Sequence, residues 1–116
     1  MYEYVAHVRS VYDGDTIRAD IDCGFGIWTA NQSLRLLGID APELGKPGGK
    51  EARDYLRTLL PVGQEVVVRT VKDGTEKYGR LLATINRIDD WEWHSVTVNQ
   101  RMIDAGHAVP YFGGKR

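Results

Sequence analysis

Four carboxylates fall in two short stretches that could together form one metal site. Asp13 and Asp15 lie in VYDGDTI, and Asp40 and Glu43 lie in LRLLGIDAPE. Residues two apart on an extended chain point to the same side, so Asp13 and Asp15 would face together. Several carboxylates in one pocket repel one another unless a cation joins them. A hard divalent ion suits such oxygen ligands: calcium first, with magnesium or manganese as alternatives.

Ordinary turns are the competing explanation for these acidic residues. Asp-Gly is a frequent turn pair, and Asp-X-Pro is a frequent exit from a strand. On spacing alone, this structural interpretation is favoured over a metal site. The histidines, at positions 7, 94 and 107, are far apart in sequence, and Cys23 is the single cysteine. The sequence therefore predicts neither a zinc site nor an intrachain disulfide.

Two arginines and Glu43 suggest what a metal site would act upon. Arg35 lies inside the apolar run LRLLGI, and Arg80 precedes the apolar run LLATI. Each guanidinium can donate two parallel hydrogen bonds to phosphate oxygens, although a surface ion pair is the simpler role for a lone arginine. Glu43 could take a proton from an attacking water, or it could simply cap a loop or helix. These residue types favour phosphodiester chemistry.

Size and composition are those of a single globular domain spanning residues 1–116. Hydrophobic residues make up 42% of the chain and charged residues 27%, so it can bury a core without disulfide or metal. The 15 basic and 16 acidic side chains give a net charge of -1. This balance argues against non-specific coating of nucleic acid but permits a small phosphate site. Because no signal peptide or membrane span is visible, we expect a cytoplasmic monomer, with secretion left open.

Hydrophobic periodicity predicts the elements that must position these groups. Strands are predicted at residues 4–8, 17–21, 33–39, 65–71 and 81–85, with a wide hairpin connection over 23–32. Residues 52–59 carry apolar side chains at helical spacing. Thr97 and Gly106 are expected to cap a second, short helix. Asp73-Gly74 predicts a turn, and the tail from Val109 is expected to be irregular.

The order of these elements predicts a mainly β fold with helices (α+β). Three strands, a helix and two further strands match the five-stranded Greek-key barrel of the OB-fold. If the second and third strands form a hairpin, the start of one lies beside the end of the other. This pairing would bring Asp15 near Asp40.

Three motifs carry a family resemblance. DGDTI, LRLLGIDAPE and KYGRLLATI, in this order, closely resemble the motifs of the staphylococcal-nuclease-like (thermonuclease) family, and VNQRMIDAGHA resembles the helix segment that follows. The likeness runs from about Val8 to about Tyr111. It reverses the preference for simple turns. The resemblance implies an OB-type barrel with packed helices and calcium-dependent hydrolysis of DNA and RNA.

The resemblance assigns metal ligands residue by residue. Asp15 and Asp40 match the metal-binding aspartates, and the backbone carbonyl of residue 41 matches a further ligand. Asp13 matches an aspartate that lies near the metal without binding it directly. Position 41 is alanine here, where threonine is usual in the best-known members, and a backbone ligand should survive that change.

The resemblance also assigns catalysis and substrate binding. The catalytic side chains it implies are Arg35, Glu43 and Arg80. The positions that match nucleotide contacts are Lys77, Tyr78 and Tyr111. A single-stranded or frayed nucleic acid is the expected substrate, because the pocket must reach a phosphate and stack a base. The alternative is a catalytically weak OB-type module that binds nucleic acid or protein, as in members that have lost catalytic residues.

Overall fold

Five strands close a barrel in the computed structural model, which describes residues 2–75, 80–90 and 96–112. The described residues form seven strands, of which β4 and β7 make a separate two-stranded sheet. These are β1 (Tyr2–Asp13), β2 (Thr16–Asp22), β3 (Trp28–Leu36), β4 (Ile39–Asp40), β5 (Glu65–Thr75), β6 (Leu81–Arg87) and β7 (Val109–Pro110). The helices are α1 (Gly49–Leu59), α2 (Val98–Asp104) and a short 3-10 turn at Ile88–Asp90. The barrel order is β1-β2-β3-β6-β5, and only its β3–β6 pair is parallel. The predicted OB-type barrel is confirmed.

The core lies inside the barrel and beneath α1. Alternate residues of β2 point inward, and Ile17 and Ala19 are fully buried there. Ala52 and Leu56, one helical turn apart on α1, are also fully buried, because their shared face packs against the barrel. Within the described ranges, neither helix has the length and apolar character needed to cross a membrane. Hydrophobic periodicity therefore predicted this part of the fold correctly.

Two turn predictions differ from the structure. The connection between β2 and β3 covers only residues 23–27, because the strands stay paired as far as Asp22 and Trp28. The hairpin is thus longer and its loop shorter than expected. Asp73-Gly74 lies within β5, so the predicted turn there is wrong. The β5–β6 register shifts between Thr70 and Thr75, and such an irregular stretch accommodates a glycine within a strand.

The segment after residue 108 was expected to be irregular, but it carries β7. This two-residue strand pairs antiparallel with β4, joining Ile39 to Pro110 and Asp40 to Val109. The backbone N–H of Tyr111 also donates to the carbonyl of Gly38 at 2.8 Å. The pairing fixes the backbone on which Asp40 is carried.

Both predicted caps of α2 are confirmed. The Thr97 hydroxyl accepts a hydrogen bond from the backbone N–H of Gln100 at 3.0 Å. Beyond the helix, Gly106 adopts a φ of 79°, which glycine tolerates without steric cost. The N–H groups of Gly106 and His107 donate to the carbonyls of Ile103 and Met102. This Schellman arrangement ends the helix and satisfies its last carbonyls.

One buried amide on α2 ties the helix to the barrel. Asn99 is 4% exposed. Its Nδ2 donates to the carbonyls of Leu37 at 2.8 Å and Ala83 at 3.0 Å. Its Oδ1 accepts from the backbone N–H of Ile85 at 3.0 Å. The residue therefore joins β6 to the turn that leads into β4 and the site described below.

We predict that Asn99→Ala lowers the free energy of unfolding by about 3 kcal/mol, since it removes three hydrogen bonds to the backbone and leaves the N–H of Ile85 and the carbonyl of Leu37 without this partner. The carbonyl of Ala83 keeps the N–H of Leu37 as a donor. Urea unfolding followed by circular dichroism measures the change. Gln100→Ala is the matched control, because the side chain of Gln100 donates a hydrogen bond to Asp104 on the exposed face of α2. This substitution should lower the free energy of unfolding by less than about 0.5 kcal/mol. Equal effects of the two substitutions would contradict the assignment.

Candidate active site

The DGD stretch forms the tight turn between β1 and β2. The backbone N–H of Asp15 donates to Oδ1 of Asp13 at 3.1 Å, as in an Asx turn. A Cβ on Gly14 would lie 2.8 Å from the Cβ atoms of both Ala41 and Ala52. Glycine is therefore needed for the turn to seat against α1. The turn is structural, and it also places Asp15 beside β4.

Asp15 lies inside a hydrogen-bond network and is 5% exposed. Its Oδ2 accepts from the backbone N–H of Ala41 at 2.9 Å and from Nη1 of Arg35 at 2.6 Å. Its Oδ1 accepts from the hydroxyl of Thr16 at 3.2 Å. Its backbone carbonyl accepts from the N–H of Leu36 at 2.8 Å. The hairpin pairing thus brings residues 15 and 41 into direct contact.

Arg35 is the cation between the two aspartates predicted to bind metal. It is 1% exposed. Nη1 contacts Asp15, and Nη2 lies 3.3 Å from Oδ1 of Asp40 and donates to the carbonyl of Ile39 at 3.4 Å. A buried arginine requires such pairing, because an uncompensated buried charge is costly. The predicted proximity of Asp15 and Asp40 is therefore confirmed through their shared partner.

Two aspartates of the site have raised pKa values. Burial, followed by repulsion from Asp15, raises the pKa of Asp13 from 3.8 to about 6. Burial also raises the pKa of Asp40, and Asp15 and Glu43 add repulsion while Arg35 opposes them. One buried guanidinium thus leaves negative charge in excess at this point. Such an excess is what a bound cation would offset.

Glu43 and Arg80 open onto a cleft of about 900 Å³ that Asp13 also lines. Glu43 is exposed. Nη1 of Arg80 donates to the hydroxyl of Thr16 at 3.2 Å, and that hydroxyl in turn bonds to Asp15. Arg80 is therefore linked to the buried carboxylate through one side chain. The predicted base and the predicted phosphate ligand lie on one surface.

The position of Glu43 depends on a glycine at the start of α1. The carbonyl of Glu43 accepts from the N–H of Lys46 at 3.0 Å. A Cβ added to Gly49 would collide with the same carbonyl. The close approach of α1 to this loop therefore requires glycine at position 49.

The remaining predicted site residues fall outside the cleft or outside the described residues. Lys77 and Tyr78 lie outside the residues that the structure describes. Tyr111 is half-buried and flanks β7, and it is not among the residues that line the cleft. Its backbone contact with Gly38 supports the β4 segment.

Sequence reasoning missed most of the residues that line the cleft, among them Thr16 and three arginines, Arg18, Arg53 and Arg57. Arg53 and Arg57 are four apart on α1, and this spacing places them on one helical face. Arg18 lies on the outward face of β2. These signals were present in the sequence, whereas nothing in it marks Thr16 as the link between Asp15 and Arg80.

The oxygen donors around Asp15 and Asp40 fit a hard divalent cation. Within the described part of the chain, Oδ1 of Asp15 accepts a hydrogen bond only from Thr16, and the side chain of Asp40 is 38% exposed. Among the described residues, no three acidic, histidine or cysteine side chains are grouped closely enough to hold a metal ion by themselves. Two carboxylates would therefore need a backbone carbonyl, water and substrate oxygens to complete the coordination, which magnesium and calcium accept.

Comparison with known proteins gives one family and several relatives. The family model described as "Staphylococcal nuclease homologue" matches residues 33–116. The chain is 37% identical to the thermonuclease of Staphylococcus hyicus over 89 residues, which cover 72% of this chain and 48% of that protein. It is 33% identical over 104 residues to an uncharacterized endonuclease of Escherichia coli O157:H7, covering 90% of this chain and 59% of that protein.

A longer relative extends the similarity toward the start of the chain. Endonuclease YhcR of Bacillus subtilis is 29% identical over 121 residues, which cover 95% of this chain and 9% of that protein. The chain thus spans well under two thirds of the length of each of these three relatives. Asp13 and Asp15 precede the region that the family model matches.

The raised pKa of Asp13 predicts a specific pH dependence of stability. In the folded protein the pKa of Asp13 is about 6, above its ordinary value of 3.8, so the folded state binds the proton more tightly. Stability should therefore fall as pH rises from about 4 to about 6, and the loss is complete above that range. Asp13→Asn should raise the free energy of unfolding at pH 7 by about 2 kcal/mol and flatten this dependence.

Urea unfolding at several pH values, with chelator present throughout, measures both effects. Asp89→Asn is the control, because Asp89 is exposed and pairs with Arg87 on the surface. An Asp13→Asn variant less stable than the parent at pH 7 would show that the carboxylate stabilises the turn more than its burial costs.

Proposed function

Because the chain belongs to the family of staphylococcal nuclease homologues, whose model matches residues 33–116, we propose that it is a calcium-dependent nuclease. Its substrate is DNA, RNA or both, and its reaction is hydrolysis of the phosphodiester bond. The observation that carries this proposal is the placement of Glu43 and Arg80 on one cleft, beside the Asp15–Arg35–Asp40 cluster.

The proposed metal site comprises Asp15, Asp40 and the backbone carbonyl of Ala41, with Asp13 close by. A bound calcium ion would supply a Lewis acid for a phosphate oxygen and a template for water. Arg35 holds the two carboxylates in position, as its contacts of 2.6 Å and 3.3 Å indicate. The raised pKa of Asp40 supports this assignment, because its causes include the repulsion that a cation relieves.

The chemical step is assigned to Glu43 and Arg80, with Arg35. Glu43 accepts a proton from the water whose oxygen forms the new bond to phosphorus. The bond from phosphorus to the 5′ oxygen breaks, and that oxygen takes a proton from solvent. The guanidinium of Arg80, which lines the cleft, opposes the charge that grows on the phosphoryl oxygens. Arg35, which is 1% exposed, adds its positive charge from its buried position between Asp15 and Asp40. The products are a 3′-phosphate and a 5′-hydroxyl.

Single-stranded or frayed nucleic acid is the proposed substrate form. An OB-type barrel binds oligonucleotides across its strand face and adjoining loops, where an extended strand can reach a phosphate and stack a base. The open cleft of about 900 Å³ is consistent with an extended chain.

We predict that Glu43→Gln lowers the turnover of single-stranded DNA by about 1,000-fold, and that Arg80→Ala lowers it by about 100-fold or more. Both variants should keep the parent's circular dichroism spectrum, since Glu43 is exposed and Arg80 is half-buried. Initial rates on a fluorescent oligonucleotide with calcium provide the measurement.

Glu51→Gln and Arg69→Ala are the matched controls. Glu51 is exposed on α1. Arg69 on β5 pairs with Glu3 at 2.9 Å, and neither residue lines the cleft. Both should retain the parent's turnover. Full turnover in Glu43→Gln would exclude it as the base, and binding without cleavage in the parent protein would favour the binding-module alternative.

The metal assignment predicts a stability change that does not depend on activity. Calcium should raise the melting temperature of the parent protein, because a ligand that binds only the folded state stabilises it. Asp40→Asn should remove most of this shift, and chelator should abolish hydrolysis by the parent. Differential scanning fluorimetry over a calcium series, repeated with magnesium, measures the effect. An equal shift in Asp40→Asn would place the ion elsewhere.

A further inference from the structure

The cleft continues beyond the proposed reaction centre along the outer face of β1, β2 and β3. Thr16 pairs with Arg35 across β2 and β3, and Arg18, two residues along, pairs with Ser33. Ser10 on β1 faces Arg18 from the other side. Since two strand residues advance about 6.6 Å, this second row lies one step away from the row that holds Thr16 and Arg35.

Helix α1 forms the opposite wall of this part of the cleft. Arg53 and Arg57 line it from one helical face. Nη2 of Arg57 donates to the carbonyl of Val11 on β1 at 3.2 Å. The guanidinium is thus anchored to the barrel while its side chain stays exposed to the cleft.

Arg18 and Arg57 differ from other surface arginines in their partners. Arg9, Arg69 and Arg87 each pair with a carboxylate, at 3.3, 2.9 and 3.4 Å. Arg18 and Arg57 instead donate to the backbone carbonyls of Asn31 and Val11. In the part of the chain that the structure describes, neither forms an ion pair. Both guanidiniums therefore keep their positive charge uncompensated by a neighbouring carboxylate.

Local charge contrasts with the charge of the whole chain. The cleft is lined by four arginines and two acidic residues, whereas the chain carries a net charge of -1. One of the four, Arg53, pairs with Asp54 at 3.0 Å, so Arg18 and Arg57 account for much of the local excess of positive charge. A local excess of positive charge in a concave surface attracts anions. Tyr12, which is 64% exposed, also lines the cleft and offers a face on which a base can stack.

We propose that Arg18 and Arg57 form a second phosphate subsite, which binds the nucleic-acid strand at a phosphate next to the one being cleaved. The proposal rests on the proposed function, since it extends the same cleft. The subsite positions the strand and takes no part in the chemical step. Affinity should therefore depend on strand length, because a dinucleotide is too short to reach both positions.

The test measures binding of a fluorescent 12-nucleotide single strand in chelator, where no cleavage occurs, over a series of salt concentrations. Arg18→Ala and Arg57→Ala should each weaken binding about 3- to 10-fold and lower the salt slope by about 0.7. The double variant should lower the slope by about 1.4. Arg69→Ala, an equal change of charge on β5, should leave both quantities unchanged.

Substitution by lysine distinguishes charge from packing. Arg57→Lys and Arg18→Lys should restore most of the salt slope, since lysine also binds phosphate as a point charge. Melting curves identify any variant that fails to fold, in which case the other arginine carries the test. Cleavage of a dinucleotide with calcium should be unchanged in all variants, and cleavage of the 12-nucleotide strand should show a raised KM with kcat retained.

The binding and cleavage measurements test the subsite proposal and the nuclease proposal separately. Unchanged affinity and salt slope in the double variant would refute the subsite, even if the parent protein is an active nuclease. Absence of binding by the parent at low salt would refute it as well. Weakened binding in a protein that never cleaves would support the subsite and reject the nuclease proposal.

Discussion

The contact of Arg35 with both Asp15 and Asp40 is the interaction on which the rest of the site depends. A guanidinium that is 1% exposed must be neutralised where it lies, because a buried charge without a partner is strongly destabilising. Its two carboxylate partners come from the β1–β2 turn and from β4. The pairing of the Arg35 guanidinium with both carboxylates therefore brings the β1–β2 turn and β4 together. The same contact leaves more acid than base at the site, and the proposed calcium ion would offset this excess.

Antiparallel pairing explains how much of the site could be predicted. Periodicity predicts β2 and β3, and their antiparallel pairing as a hairpin predicts that Asp15 lies near Asp40. The family motifs then pointed to Glu43 and Arg80, which line one cleft. The sequence did not predict that Arg53 and Arg57 line the cleft. They lie on an amphipathic helix, where exposed arginines are common and carry no distinct signal.

Local signals failed where pairing between distant segments decided the outcome. Asp73-Gly74 is a good turn by composition, yet β5 continues through this pair to Thr75, which pairs with Leu81 of β6, so strand pairing overrides the local preference. β4 and β7 contain two residues each, too few for any period to be visible in the sequence. Asn99 is a polar residue whose burial depends on three backbone groups from distant elements, and no local pattern marks such a partner.

The pairing of β4 with β7 has a consequence for the time at which the centre is assembled. Asp40 is held in place by residues 109 and 110, about 70 positions further along the chain. During synthesis, the chain must therefore emerge from the ribosome as far as β7 before the backbone of Asp40 can pair with Val109. A growing polypeptide that already carries the proposed catalytic residues Arg35, Glu43 and Arg80 still lacks the β7 strand that pairs with β4. The proposed active site can therefore be completed only after residues 109 and 110 have been synthesised.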